Sequence, residues 1–357
     1  MNNKTEVNIP HPKPSKKKGG FHTLKIGEKR MSVAQINIKH HHLNENIKPE
    51  KRKSFTHLNH SEFQITTGKK YIAGTQQGKD DDGNLKTNQD RFIYIENIFN
   101  IQNCNIYGIL DGHGSNGHFV SEFCVEEIKK FFSDESNFTS KNNKTITKEL
   151  IYDKLTHNNY SLLKNFFTNL QKELIDATFD THFSGTTCVI VYQIDDKIIC
   201  SNIGDSRSIL LNKNNKNEYD IIELSKDQKP TNPEEQKRIE ESGGEIACCD
   251  DEKENEGVKR VWVKGEKFPG IAISRTLGDE VAKSVGVICV PEFIEVNVSS
   301  NSFLIICASD GVWEFLSNED VRDIIVKNLI KEASIEWNND GTCRDDITLV
   351  AHFFKEK

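Results

Sequence analysis

The sequence predicts an α+β domain, in which antiparallel strands come in runs and helices are inserted among them. Three observations carry this. Between residues 186 and 224, short β-rich runs follow one another with only turn-length gaps. Two other stretches, Gly117–Phe132 and roughly 159–177, repeat apolar side chains at helical spacing. Several strongly apolar runs end directly in an aspartate. Strand after strand without an intervening helix is an antiparallel meander and argues against βαβ alternation.

Taken in order, residues 1–65 are expected to form a disordered basic extension. They carry Pro10, Pro12, Pro14, the run Lys16–Lys18, Gly19-Gly20, His40–His42 and Lys51-Arg52-Lys53, with little apolar periodicity. Such composition cannot bury enough surface to order itself. Residues 66–357 are expected to form the folded domain. Strand character begins at Tyr71–Gly74. After the polar loop Asp80–Gly83, Asn88-Gln89-Asp90-Arg91 leads into the strand Phe92–Ile95. The central strand Ile106–Leu110 delivers Asp111-Gly112-His113-Gly114 at its end.

The first helix follows, with Val120, Phe123, Cys124, Ile128, Phe131 and Phe132 on one face. The second carries Leu162, Leu163, Phe166, Phe167, Leu170 and Leu174. The runs 186–193, 197–202, 207–211 and 219–224 read as one meander, with hairpin turns at Asp195-Asp196 and Gly204-Asp205. Thr231-Asn232-Pro233-Glu234-Glu235 is a helix start, and Gly243-Gly244 is its stop. The acidic stretch 246–268 reads as an excursion from the body, a flap. A strand pair is expected at 287–297. The strand Phe303–Ser309 ends in Asp310-Gly311, Val321–Ile330 is an amphipathic helix, and Asp345-Asp346 opens the strand Ile347–Phe353.

Charge and cysteine content narrow the function. Residues 1–60 carry 13 Lys+Arg and 4 Asp+Glu, and the remaining residues carry 34 and 50, so the net −7 is a +9 tail on a −16 body. An acidic body is poorly suited to nucleic acid and well suited to divalent cations. The nine cysteines form no CxxC pair, which reads as reduced thiols in an intracellular protein, cytoplasmic or nuclear. Cys248-Cys249 is an adjacent pair in an acidic, Gly-rich stretch, and two unrelated thiols is the simpler reading. No apolar run is long enough to span a bilayer, and no secretory or myristoylation signal opens the sequence.

Asp111, Asp310 and Asp345 each stand at the end of an apolar strand, and Asp205 sits in the turn after another. Any one of them fits an ordinary turn. Brought together, they would repel unless a cation lay between them. The donors are all oxygen, with no Cys or paired-His spacing nearby, which selects Mg2+ or Mn2+ over zinc. His113 can move a proton at neutral pH.

Asp111-Gly112-His113-Gly114, Ser184-Gly185-Thr186-Thr187, Gly204-Asp205-Ser206-Arg207, Ser274–Asp279, Ser309–Trp313 and Asp345-Asp346-Ile347-Thr348 occur in the order and spacing of the metal-dependent Ser/Thr protein phosphatases of type 2C. The chain resembles that family over roughly residues 70–357. The resemblance implies a four-layer α-β-β-α sandwich, with two antiparallel sheets packed face to face and flanked by helices. It implies two Mg2+ or Mn2+ ions held by Asp111, the Gly112 carbonyl, Asp310 and Asp345. A third, weaker ion would lie near Asp205 with Glu314 or Asp279, and Asp90 would be a further carboxylate near the metals. His113 would protonate the leaving Ser or Thr oxygen after a bridging water attacks phosphorus. Phosphorylated proteins are the expected substrates, with no nucleic acid and no membrane span, and the chain is expected to be a monomer.

The chain departs from the family pattern at three places. Gln89 stands where many relatives carry Glu. Leu85 stands where many carry a phosphate-gripping Arg, leaving Lys86 or Arg91 as substitutes. Glu314 stands where many carry Asp. These departures motivate an alternative: a catalytically weak pseudophosphatase that binds a phosphoprotein or a kinase. The retained Asp111, Asp310, Asp345 and His113 weigh against it.

Overall fold

The computed structural model describes residues 63–67, 70–80, 82–139, 145–216, 218–249, 257–324 and 344–354. The chain divides into the unit Met1–His57, outside the described residues, and the unit Leu58–Lys357, whose described residues are treated below. The expected extension 1–65 therefore lies outside the described residues except for the start of the first strand. That strand straddles the expected domain start.

In chain order the elements are β1 (Phe63–Thr67), β2 (Tyr71–Gln76), β3 (Arg91–Ile95), β4 (Cys104–Leu110), β5 (Gly112–His113), α1 (Gly117–Ser133), α2 (Lys148–Ile175), β6 (Gly185–Thr186), β7 (Cys188–Ile194) and β8 (Lys197–Ile203). There follow β9 (Arg207–Lys213), β10 (Tyr219–Glu223), α3 (Pro233–Glu241), β11 (Gly244–Ala247), β12 (Arg260–Val263), β13 (Pro269–Ile271), β14 (Leu277–Gly278), α4 (Glu280–Lys283), β15 (Glu292–Asn297), β16 (Ser302–Ala308), α5 (Asp310–Trp313), α6 (Asn318–Asp323) and β17 (Ile347–Phe353).

Two antiparallel sheets dominate, in the orders β1-β2-β17-β16-β9-β10 and β15-β8-β7-β4-β3. Their central strands β4, β7, β16 and β17 are buried on both faces, which is why they read as continuous apolar runs. In β4, Tyr107 and Ile109 point one way, into a cluster with Val191, Leu210, Ile305 and Val350. These side chains come from both sheets, so the sheets share a core. Ile106 and Leu110 point the other way and pack on Val120, Ile128, Leu163 and Phe167 of α1 and α2. The period of two in a strand divides the residues between these faces. On the outer face of the other sheet, Ile209, Ile306 and Leu349 pack against Val312 and Trp313 of α5 and Val321 of α6. The class is α+β with antiparallel sheets, as expected.

Three local expectations are corrected, and a fourth lies mostly outside the described residues. The single meander over 186–224 is divided: β7 and β8 pair in one sheet, while β9 and β10 pair in the other. Gly204-Asp205 is therefore a crossing between sheets. Gly204 has φ 102°, and it exchanges backbone and side-chain hydrogen bonds with Gln228, not with a hairpin partner. The second helix starts earlier, at Lys148, where Thr147 caps it by accepting from the Leu150 N–H. It is interrupted by left-handed Asn158, Asn159 and Tyr160, which hid the continuity from helical spacing. Only Glu292–Asn297 of the expected pair at 287–297 is a strand, and Ile288 makes an isolated bridge to Arg275. The expected helix Val321–Ile330 is described only as far as Asp323, and 325–330 lie outside the described residues.

The excursion at 246–268 is a small antiparallel sheet, β11-β12-β13, with 250–256 outside the described residues. Ile239, Val261, Ala282, Val285 and Val287 give it a core of its own.

Candidate active site

Chain reversals at the ends of β4, β16 and β17 meet over one cavity of about 460 Å3. Asp111, Gly112, His113, Asp205, Asp279, Asp310, Asp345 and Asp346 line it, together with Lys86 and Gln89. Residues nearly the whole domain apart in sequence are thus neighbours.

Asp111 leaves the end of β4, and its backbone N–H donates to the Thr187 hydroxyl at 3.0 Å. That hydroxyl is 2.7 Å from Ser206 Oγ, beside Asp205. The two small hydroxyls thereby tie the chain at Asp111 to the crossing that carries Asp205. A side chain at Gly112 would bring Cβ within 2.4 Å of the Gly117 carbonyl and 2.7 Å of the Gln89 carbonyl, so only glycine fits.

His113 is placed by a three-strand ribbon, β14-β6-β5. In register, His113 and Gly278 flank Gly185. Asp279 Oδ2 reaches across to His113 Nε2 at 2.6 Å. A Cβ on Gly185 would sit 2.0 Å from that same oxygen. Burial opposes the imidazolium, but the charge and hydrogen bond of Asp279 outweigh it and hold the His113 pKa above its ordinary value. Asp279 also accepts from Thr276 Oγ1 at 2.9 Å.

The carboxylates press on one another. Burial first, then the charges of Asp90, Asp310, Asp345 and Asp205, push the Asp111 carboxyl well above the usual range. Burial, then Asp205 and Asp345, do the same to Asp310. Asp90 is 3% exposed and does not line the cavity. It accepts from Ser309 Oγ at 2.8 Å, and burial followed by the charge of Asp346 raises its pKa to about 7. Asp346 accepts from the N–H groups of Gly78 and Gln89, each at 2.6 Å. Burial leads the causes that lift its pKa to about 6.

Asp310 Oδ1, Asp90 Oδ1 and Gln89 Oε1 are buried without a hydrogen-bond partner. Among the described residues no three His, Cys, Asp or Glu side chains close into a ready-made metal cluster. The carboxylates ring the cavity rather than meeting at a point. Crowded, partly unsatisfied hard oxygen donors suit a hard divalent cation, so the residues present fit Mg2+ or Mn2+.

Two expected site residues stand elsewhere, and a third is otherwise engaged. Glu314 is exposed at the end of α5 and does not line the cavity, because the helix turn after Asp310 carries it outward. Arg91 is drawn away by Glu122, 2.5 Å from its Nε, and by the carbonyls of Asn88 and Asp90. Asp279 lines the cavity, but its carboxylate is engaged with His113. Lys86 does line the cavity, with Nζ 3.4 Å from Asp345. Sequence reasoning missed Asp346, whose signal was its place in a doubled aspartate at a strand entrance. It also missed Lys229, which pairs with Asp205 from 24 residues away and had no local signal.

A family profile described as Protein phosphatase 2C matches residues 77–344. Probable protein phosphatase 2C 34 of Arabidopsis thaliana is 31% identical over 289 residues, covering 76% of this chain and 78% of that protein. Probable protein phosphatase 2C 65 of the same plant is 29% identical over 294 residues, covering 77% and 75%. Among solved structures, the serine-threonine phosphatase 2C of Toxoplasma gondii superposes with a TM-score of 0.65 at 20% identity, covering 82% of this chain and 99% of that one. That likeness is one of fold.

Proposed function

We propose, from the premise that this chain belongs to the protein phosphatase 2C family and is a protein-serine/threonine phosphatase, that it hydrolyses phosphoserine and phosphothreonine by direct attack of water. The observation that carries the reading is the meeting of Asp111, Asp310 and Asp345 with His113 on one cavity. The family depends on Mg2+ or Mn2+, and we assign two ions to Asp111, the Gly112 carbonyl, Asp310 and Asp345. Bound there, such ions would acidify a water and offset charge on the phosphoryl oxygens.

The chain's own residues do the rest. Asp346 pins the Gly78 and Gln89 backbones and so fixes the loop that carries Asp345. Lys229 pairs with Asp205 and partly offsets its charge. A carboxylate only accepts, so Asp279 takes the Nε2–H of His113. In the imidazolium form, which Asp279 favours, Nδ1 also carries a proton, and that proton is the one His113 can give to the leaving Ser or Thr oxygen. Among the described residues no cysteine lines the cavity, in keeping with a path that has no covalent enzyme intermediate. The non-catalytic alternative lacks support, since Asp111, Asp205, Asp310, Asp345 and His113 all line one cavity.

The test uses a phosphothreonine peptide with Mn2+. Turnover should vanish with a chelator and return with the metal. Asp310→Asn should lower it about a thousandfold, the rate equivalent of roughly 4 kcal/mol. Mn2+ should also raise the melting temperature of the native protein and not that of Asp310→Asn. Full activity in metal-free protein would end the reading.

A further inference from the structure

We propose that Arg260 grips the substrate's phosphoryl group from the flap side of the cavity, a role that rests on the phosphatase reading above. The cavity wall is dominated by carboxylates, and a dianionic phosphoryl group entering it needs a fixed cation. Among the described residues, the cationic side chains on the wall are Lys86, His113 and Arg260. Lys86 lies beside Asp345, and His113 is committed to Asp279. Arg260 makes one hydrogen bond, from Nη1 to the Gly270 carbonyl at 2.8 Å, and among the described residues it has no carboxylate partner.

That single bond leaves a useful edge. With Nη1 held by β13, the guanidinium plane is set, and Nε–H and Nη2–H remain as two parallel donors. Two parallel donors match two phosphoryl oxygens, a geometry that an ammonium group cannot reproduce. The anchor is firm, because the neighbouring Val261 is fully buried in the flap's own core. Of the expected substitutes, Arg91 is held away from the cavity by Glu122, and Lys86, which lines it, lies beside Asp345 and is a point charge without a fork. A cation on the flap also makes the flap part of substrate binding instead of a lid beside it.

The test compares native protein, Arg260→Ala and Arg260→Lys, with Mn2+, on p-nitrophenyl phosphate and on a phosphothreonine peptide. Inorganic phosphate serves as product inhibitor. Losing a bidentate charged contact should raise KM for both substrates, and the inhibition constant of phosphate, about ten- to a hundredfold in Arg260→Ala, with kcat changed far less. Arg260→Lys should recover only part, and its melting temperature reports whether the flap still folds. Unchanged constants in both variants would overturn the proposal. So would a KM rise confined to the peptide, which would mean that Arg260 reads the peptide flank. Absence of turnover in the native protein on both substrates would instead remove the underlying phosphatase reading.

Discussion

Gly185 is bare because the Asp279 carboxylate crosses over it to reach His113. Two short motifs that look like turn punctuation are thus one device for holding an imidazole. Asp279→Asn keeps the shape but removes the charge, and general acid catalysis contributes roughly a hundred- to ten-thousandfold. We expect kcat on a phosphothreonine peptide to fall within that range. The loss on p-nitrophenyl phosphate, whose leaving group needs little protonation, should be much smaller. Gly185→Ala should show the same split by displacing Asp279. Equal losses on both substrates would argue that Asp279 acts elsewhere. The aspartates themselves were legible in the sequence as strand-end carboxylates. Their partners Lys229 and Thr187 were not, because a pairing across the fold leaves no mark on local spacing.

At the scale of elements, one buried carboxylate ties α3 to the chain at Ser274-Arg275 and, through Arg275, to β15. Glu235 on α3 pairs with Arg238 and with Arg275, and Arg275 also reaches Glu292 of β15. Glu235 is 4% exposed. Burial alone would raise its pKa, but hydrogen bonds from Arg238, Arg275 and Ser274 prevail and hold it down at about 2. A depressed carboxyl pKa stabilises the fold fully above the unfolded value, about 4.5 for this group, and loses that contribution as pH falls toward 2. Stability measured by urea should therefore drop across that window more steeply in the native protein than in Glu235→Gln. Glu235→Ala, which strands Arg275 in the interior, should cost about 3 kcal/mol or more at pH 7. A native pH profile no steeper than that of Glu235→Gln would refute this account. The helix start at Thr231–Glu235 was visible in the sequence, whereas the inward turn of Glu235 was not, since an acid in a first turn ordinarily faces water. The cap is Asn232, before Pro233, and it makes no side-chain cap bond.

At the scale of the whole molecule, two sheets share the core that fixes where the strand ends meet. Ile305 lies in that shared core with no exposure. Ile305→Ala should destabilise the domain by about 2–5 kcal/mol, read as a lower urea midpoint with an unchanged slope. It should also reduce metal-dependent turnover at temperatures where the variant remains folded, because the carboxylates are aimed by the sheets. A loss of stability below 1 kcal/mol would mean that the sheets do not depend on each other at this position.

The sequence by itself determined which residues would be strands and which helices over most of the described chain. It also determined that aspartates stand at the strand ends and that the body suits divalent cations. These are properties of neighbours: side-chain period, turn chemistry and net charge act over a few residues. Only the tertiary structure decided that β8 and β9 part into different sheets at Gly204. It alone turned Arg91 and Glu314 away from the cavity and brought Asp111 beside Asp310 and Asp345. Those outcomes depend on which buried faces pack together, and apolar burial has no direction along the chain, so no local pattern encodes its partner.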